Sequence, residues 1–179
     1  MATAADDFAS LARYNAGARA FHAAIAVLVI ANLALGFGHE VLEDTLNVMP
    51  LHKSIGITVL GLSIARLAWR FTWTTPAYDP PLGRLYEAVA KATHAAFYAL
   101  MLALPLTGWI MTSAGQRPLA WFGVPFPKLA VEKGSALYEI GHEGHEILGW
   151  AMLALVVLHV AAALRHHYVL KDTVLRRMW

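Results

Sequence analysis

The chain has 179 residues, 58% hydrophobic and 15% charged, with a mean hydropathy of +0.51; ordinary globular chains are about 25% charged. A formal charge of only +2, with no basic stripe interleaved with aromatics, excludes nucleic acid as the partner. The lack of any cysteine excludes disulfides, thiolate metal sites, iron–sulfur clusters and covalently attached c-type haem.

In chain order, the N-terminal stretch carries Asp6 and Asp7 and no basic n-region before its first apolar run, so it reads as uncleaved. Four segments follow that are long enough to span a bilayer, which takes about 20 apolar residues. They cover roughly 18–37, 51–69, 88–111 and 145–167. The expected fold is all-α: an integral membrane four-helix bundle, one domain over residues 1–179. Lys53 and Arg66 lie near the ends of the second segment, where both can snorkel. Pro105 should kink the third segment rather than end it. The third loop, about 112–144, is rich in Pro, Gly and Trp and should fold as a surface cap.

Charge sets the orientation. Arg13, Arg19, Arg66, Arg70, Arg84, Lys91, Arg165, Lys171, Arg176 and Arg177 fall on one side, and Lys53, Arg117, Lys128 and Lys133 on the other. Ten against four predicts that both termini face the cytoplasm. The first loop, with Glu40, Glu43 and Asp44, then faces outward.

With orientation assigned, the histidines acquire depths. His22 lies near the inner end of the first helix, and His52 near the outer end of the second. The fourth helix carries His145 near its outer end and His159 fourteen residues later, on the same face and roughly 21 Å deeper at about 1.5 Å per residue. Each level thus offers two histidines from two different helices. Histidines inside a membrane are functional by default. Paired imidazoles at two depths point to two b-type haems, each with bis-histidine ligation: His52 with His145, and His22 with His159. Zinc would need three or four ligands at one level.

The chain resembles the bacterial cytochrome b561 family of di-haem membrane proteins. The resemblance rests on "RAFHAA", "PLHKSIGITVLGLSIARLAWR", "ATHAAFYALMLALPLTGW" and "GHEILGWAMLALVVLHVAAALRHHYVLKDTVLRRM". It implies the same four ligands, a bacterial inner-membrane location and a quinone site at the inner end, with His166 as the contact. It also implies similarity to enzymes that pass electrons from superoxide to ubiquinone. The alternative is an electron carrier or membrane anchor between quinol and a protein partner, and a third reading is a scaffold whose histidines only pack. Dimerisation is left open.

His166 follows His159 by seven residues, two turns on and about 10 Å further inward. Arg66, fourteen residues after His52 on the same face, is a candidate for a propionate or quinone contact, with snorkelling as its other role. His94 lies at a depth that competes for the inner haem, or else it packs. His142 points to a neighbouring face, His39 is read as a solvated loop residue, and His167 as interfacial. Gly56, Gly61 and Gly149 could admit a flat macrocycle. Trp69, Trp109 and Trp121 fit an interfacial belt. Lys53, Arg117, Lys128 and Lys133 could steer an anion to the outer haem.

Overall fold

A computed structural model describes residues 13–42, 45–76 and 83–178. Asp6, Asp7, Glu43 and Asp44, and residues 77–82 of the second loop, lie outside the described residues. Among the described residues, four helices are long and apolar enough to cross a membrane: α1 (Ala16–Leu42), α2 (Met49–Arg70), α3 (Arg84–Ser113) and α4 (Ala136–Leu164). Each begins earlier and, the fourth excepted, ends later than its apolar run. The run marks only what fits the hydrocarbon core, about 30 Å thick, while the helix continues through the headgroup layer.

Local chemistry sets the ends. Asn15 caps α1, its Oδ1 accepting from the Ala18 amide at 2.8 Å and from the Trp69 indole at 3.2 Å. Gly17 is needed there, because a Cβ would lie 2.6 Å from the Trp69 ring. Pro50 opens α2 in the first turn, where its missing N–H costs nothing. Ser135 caps α4 through the Tyr138 amide. Helix α3 continues through Pro105, as expected for a membrane helix.

Close packing runs from each helix to the next in sequence, tightest between α3 and α4. Small residues allow it: Gly141 is buried, and a Cβ there would meet Ile110 at 2.7 Å. Helix α4 packs closely on neither α1 nor α2. Ile25, Met101 and Met152 form a buried apolar cluster between the two histidine levels. Met152, seven residues from both His145 and His159, is 1% exposed.

The third loop is a folded cap, as its composition suggests. Strands β1 (Ala120–Trp121) and β2 (Val124–Pro125) form a hairpin whose two turn residues, Phe122 (φ 46°) and Gly123 (φ 87°), are left-handed as a type I′ turn requires. The hairpin docks on α2: the Phe122 amide donates to Ser54 and the Trp121 indole to Thr58, both at 3.0 Å. The Trp109 indole donates to the Pro127 carbonyl at 2.8 Å, and Lys128 Nζ to the Gly115 carbonyl.

The opposite end gathers the start of α1 and the C-terminal tail. The Tyr14 amide donates to the Arg177 carbonyl at 3.0 Å, the Arg177 guanidinium lies 5.4 Å from the Tyr14 ring centre, and the same guanidinium donates to the Pro76 carbonyl. The first helix, the second loop and the tail therefore share one end of the bundle.

Candidate functional site

The sequence pattern placed two histidines at each of two levels, and the fold brings the rings of both pairs to about 6 Å of each other. Near the hairpin end, the His52 and His145 ring centres are 6.1 Å apart with planes at 86°. Toward the tail end, His22 and His159 are 6.3 Å apart at 54°. Two imidazoles bound to one metal from opposite sides place their ring centres about 6 Å apart, from two metal–nitrogen bonds of about 2 Å plus half of each ring. Both separations match that geometry. Both pairs also span helices that do not pack closely, α2 with α4 and α1 with α4, which leaves room for a flat macrocycle.

The hairpin-end pair is gripped from behind by a repeated device. His52 Nδ1 donates to the Asn32 carbonyl of α1 at 3.1 Å, and His145 Nδ1 to the Leu104 carbonyl of α3 at 2.9 Å. A carbonyl can only accept, so Nδ1 carries the hydrogen and Nε2 keeps its lone pair for a metal. In each case a glycine stands four residues after that carbonyl. A Cβ on Gly36 would sit 3.0 Å from His52 Cε1, and one on Gly108 would sit 2.9 Å from His145 Cε1. On a helix, the residue at i+4 covers the carbonyl of residue i. A side chain there would bar the ring from its acceptor. Thr107 Oγ1 also lies 3.3 Å from His145 Nδ1.

In front of these rings is a cavity of about 1150 Å³, walled mostly by apolar side chains such as Val29, Leu33, Met101 and Leu153. An apolar cavity with two opposed imidazoles whose Nε2 atoms are free fits a haem and its iron. Of the glycines singled out from sequence, Gly56 and Gly149 line this cavity. Gly61 is not among its lining residues, and a Cβ added there would meet nothing within 4 Å. His39 corrects the sequence reading: α1 extends through it, its Nδ1 donates to the Gly36 carbonyl at 2.7 Å, and it lines the cavity mouth. His142 is exposed, stacked on Tyr138 at 5.8 Å.

At the tail-end level a third imidazole joins the pair. His94 is 6.2 Å from His159, as close as His22 is, and Phe97 packs edge-on to His159 at 5.1 Å. Packing separates the two candidates. His94 reaches His159 across the tightest helix pair, α3 and α4, while His22 faces His159 across an open gap. Arg66 lies within electrostatic reach of all three imidazoles, with its guanidinium 5.7 Å from the Tyr98 ring centre.

Beyond α4 the chain forms a π-helical turn over Arg165–Leu170 that holds His166 and His167. His166 is half-buried, and its Nδ1 meets the Asp172 carboxylate at 2.5 Å. Sequence reasoning missed Asp172, as it missed Gly36 and Gly108.

The profile of the prokaryotic cytochrome b561 family matches residues 13–179. The chain is 31% identical over 173 residues to cytochrome b561 homolog 2 of Escherichia coli, covering 93% of this chain and 90% of the relative. It is 33% identical over 129 residues to a probable superoxide oxidase CybB of Yersinia pestis, covering 72% of each. It is 31% identical over 165 residues to cytochrome b562 of Cereibacter sphaeroides, covering 88% of this chain and 89% of the relative. With four spans and opposed membrane histidines, these matches establish that the chain belongs to the prokaryotic cytochrome b561 family, as a multi-pass b-type haem protein of the bacterial inner membrane that serves electron transfer.

Proposed function

We propose that the chain binds two haems and is a superoxide:ubiquinone oxidoreductase. His52 and His145 hold the outer haem, and His22 and His159 the inner one. The observation that carries this reading is the pair of matched imidazole separations, 6.1 and 6.3 Å, on two levels of one helix. When bound, the haems supply one-electron transfer between the two ends of the bundle. Since each level offers two histidines to one iron, substrates would bind the protein rather than the metal.

The residues divide the remaining work. Lys53 lines the outer cavity beside Glu40 and Glu146 and lies within electrostatic reach of Arg117, so within a field of mixed sign this basic pair is what draws an anion such as superoxide toward the outer level. Lys128 is occupied by the Gly115 carbonyl and contributes less. Two superoxide ions each give up one electron and leave as dioxygen. Two electrons and two protons convert one quinone to quinol. His166, two turns past His159, hydrogen-bonds a quinone carbonyl at the inner end. Arg66 offsets negative charge beside the inner level. The match to a probable superoxide oxidase supports the choice of donor.

Stopped-flow mixing of oxidised protein with superoxide should reduce the haems rapidly, and added ubiquinone-1 should reoxidise them. His166→Ala should leave the reduction fast and slow the reoxidation by about tenfold or more. Haems that dithionite reduces but superoxide leaves oxidised would remove the donor assignment and favour a carrier between quinol and a protein partner.

The ten-to-four charge asymmetry, with Tyr14 and Arg177 meeting at one end of the bundle, supports cytoplasmic termini. A C-terminal alkaline phosphatase fusion should accordingly be inactive; an active fusion would reverse the orientation.

A further inference from the structure

Asp172 lies six residues past His166, and the tail folds back to bring the two together. The turn between them is built for this contact. The π-helical stretch Arg165–Leu170 ends at Lys171, whose left-handed backbone (φ 54°) reverses the chain. The Asp172 amide then donates to the His166 carbonyl at 3.2 Å. Of the carboxylate oxygens, Oδ1 accepts from the Val174 amide at 3.0 Å, and Oδ2 meets His166 Nδ1 at 2.5 Å. The two side chains are 17% and 29% exposed, so water competes little for the contact. A π-helical turn and a left-handed non-glycine residue are both uncommon, and both tend to mark functional sites.

An ionised carboxylate only accepts, so this contact puts a hydrogen on Nδ1 and leaves Nε2 as the ring nitrogen free to act. It also orients the ring. From this geometry we infer that Asp172 is a positioning residue for proton delivery to the quinone through His166, an inference that rests on the quinone reading above. His166 Nε2–H gives its proton to a quinone carbonyl oxygen: the N–H bond breaks and an O–H bond forms. The two electrons would be supplied by the haems that His52 with His145 and His22 with His159 would hold, one from each. The second proton comes from water, and water also reprotonates His166.

The test uses the full chain with both haems, reduced by dithionite and mixed with ubiquinone-1. Asp172→Asn should lower the saturating reoxidation rate about tenfold, with the half-saturating quinone concentration changed less than about twofold. Asp172→Glu should recover most of that rate. Haem spectra and midpoint potentials should stay at wild-type values in both variants. Wild-type reoxidation by Asp172→Asn overturns the inference. So does a slow rate that comes with an altered haem spectrum and is not recovered by Asp172→Glu, because Asp172 would then only hold the fold. His166→Ala run in parallel separates the two levels of the argument. If it too reoxidises at the wild-type rate, the quinone reading itself fails; if it is slow while Asp172→Asn is not, only the role of Asp172 falls.

Discussion

Replacing His145 with alanine should reduce haem content from about two per chain to about one, measured as pyridine haemochrome against protein. His145 faces His52 at 6.1 Å in the hairpin-end cavity, and of the other two imidazoles lining it, His39 is tied to the Gly36 carbonyl and His142 is stacked on Tyr138. The tail-end level lies about 21 Å away along α4, with buried Met152 between, so its haem should keep its spectrum. Loss of both haems, or a wild-type protein carrying about one, would refute ligation at two independent levels. The matching substitution, His22→Ala, should be less clean. His94 stands 6.2 Å from His159, and although the tight α3–α4 packing leaves no gap for a macrocycle between them, its imidazole can keep some iron at this level.

The second large effect should come from residues that touch no iron. Gly108→Val should expel the outer haem nearly as completely as His145→Ala. A Cβ at this position already falls 2.9 Å from His145 Cε1, and a valine would push the ring off the Leu104 carbonyl. Gly36→Val should act the same way on His52, through the Asn32 carbonyl. Losing the partner that orients a ligating histidine typically weakens metal binding by about 10- to 100-fold, and here the ring itself is also displaced. Gly61→Val is the control: with nothing within 4 Å of its Cβ position, it should retain both haems. Haem content near wild type in Gly108→Val would show that the glycine cradle is not required.

What a single helix can encode is readable along the chain. Apolar runs give the four spans, and a fourteen-residue separation puts His145 and His159 on one face at two depths, because helical rise and period are constant. Hydrophobic and charge patterns separate the two ends of the bundle for the same reason: they depend on distance along one helix axis. Contacts between helices depend on azimuth, tilt and register, which no single segment contains. Gly36 and Gly108 look like Gly61 in sequence, and only the meeting of α1 with α2, and of α3 with α4, shows which glycines stand behind an imidazole. His39 illustrates a milder failure. Polar neighbours suggest a loop, but α1 carries its hydrogen bonding past the apolar core. His94 and His22 have similar depths, and it is the tight packing of α3 on α4 against the open gap between α1 and α4 that sets them apart. Asp172 joins His166 only because a π-helical turn and a left-handed Lys171 fold the tail back, a local reversal with no periodic signature to reveal it.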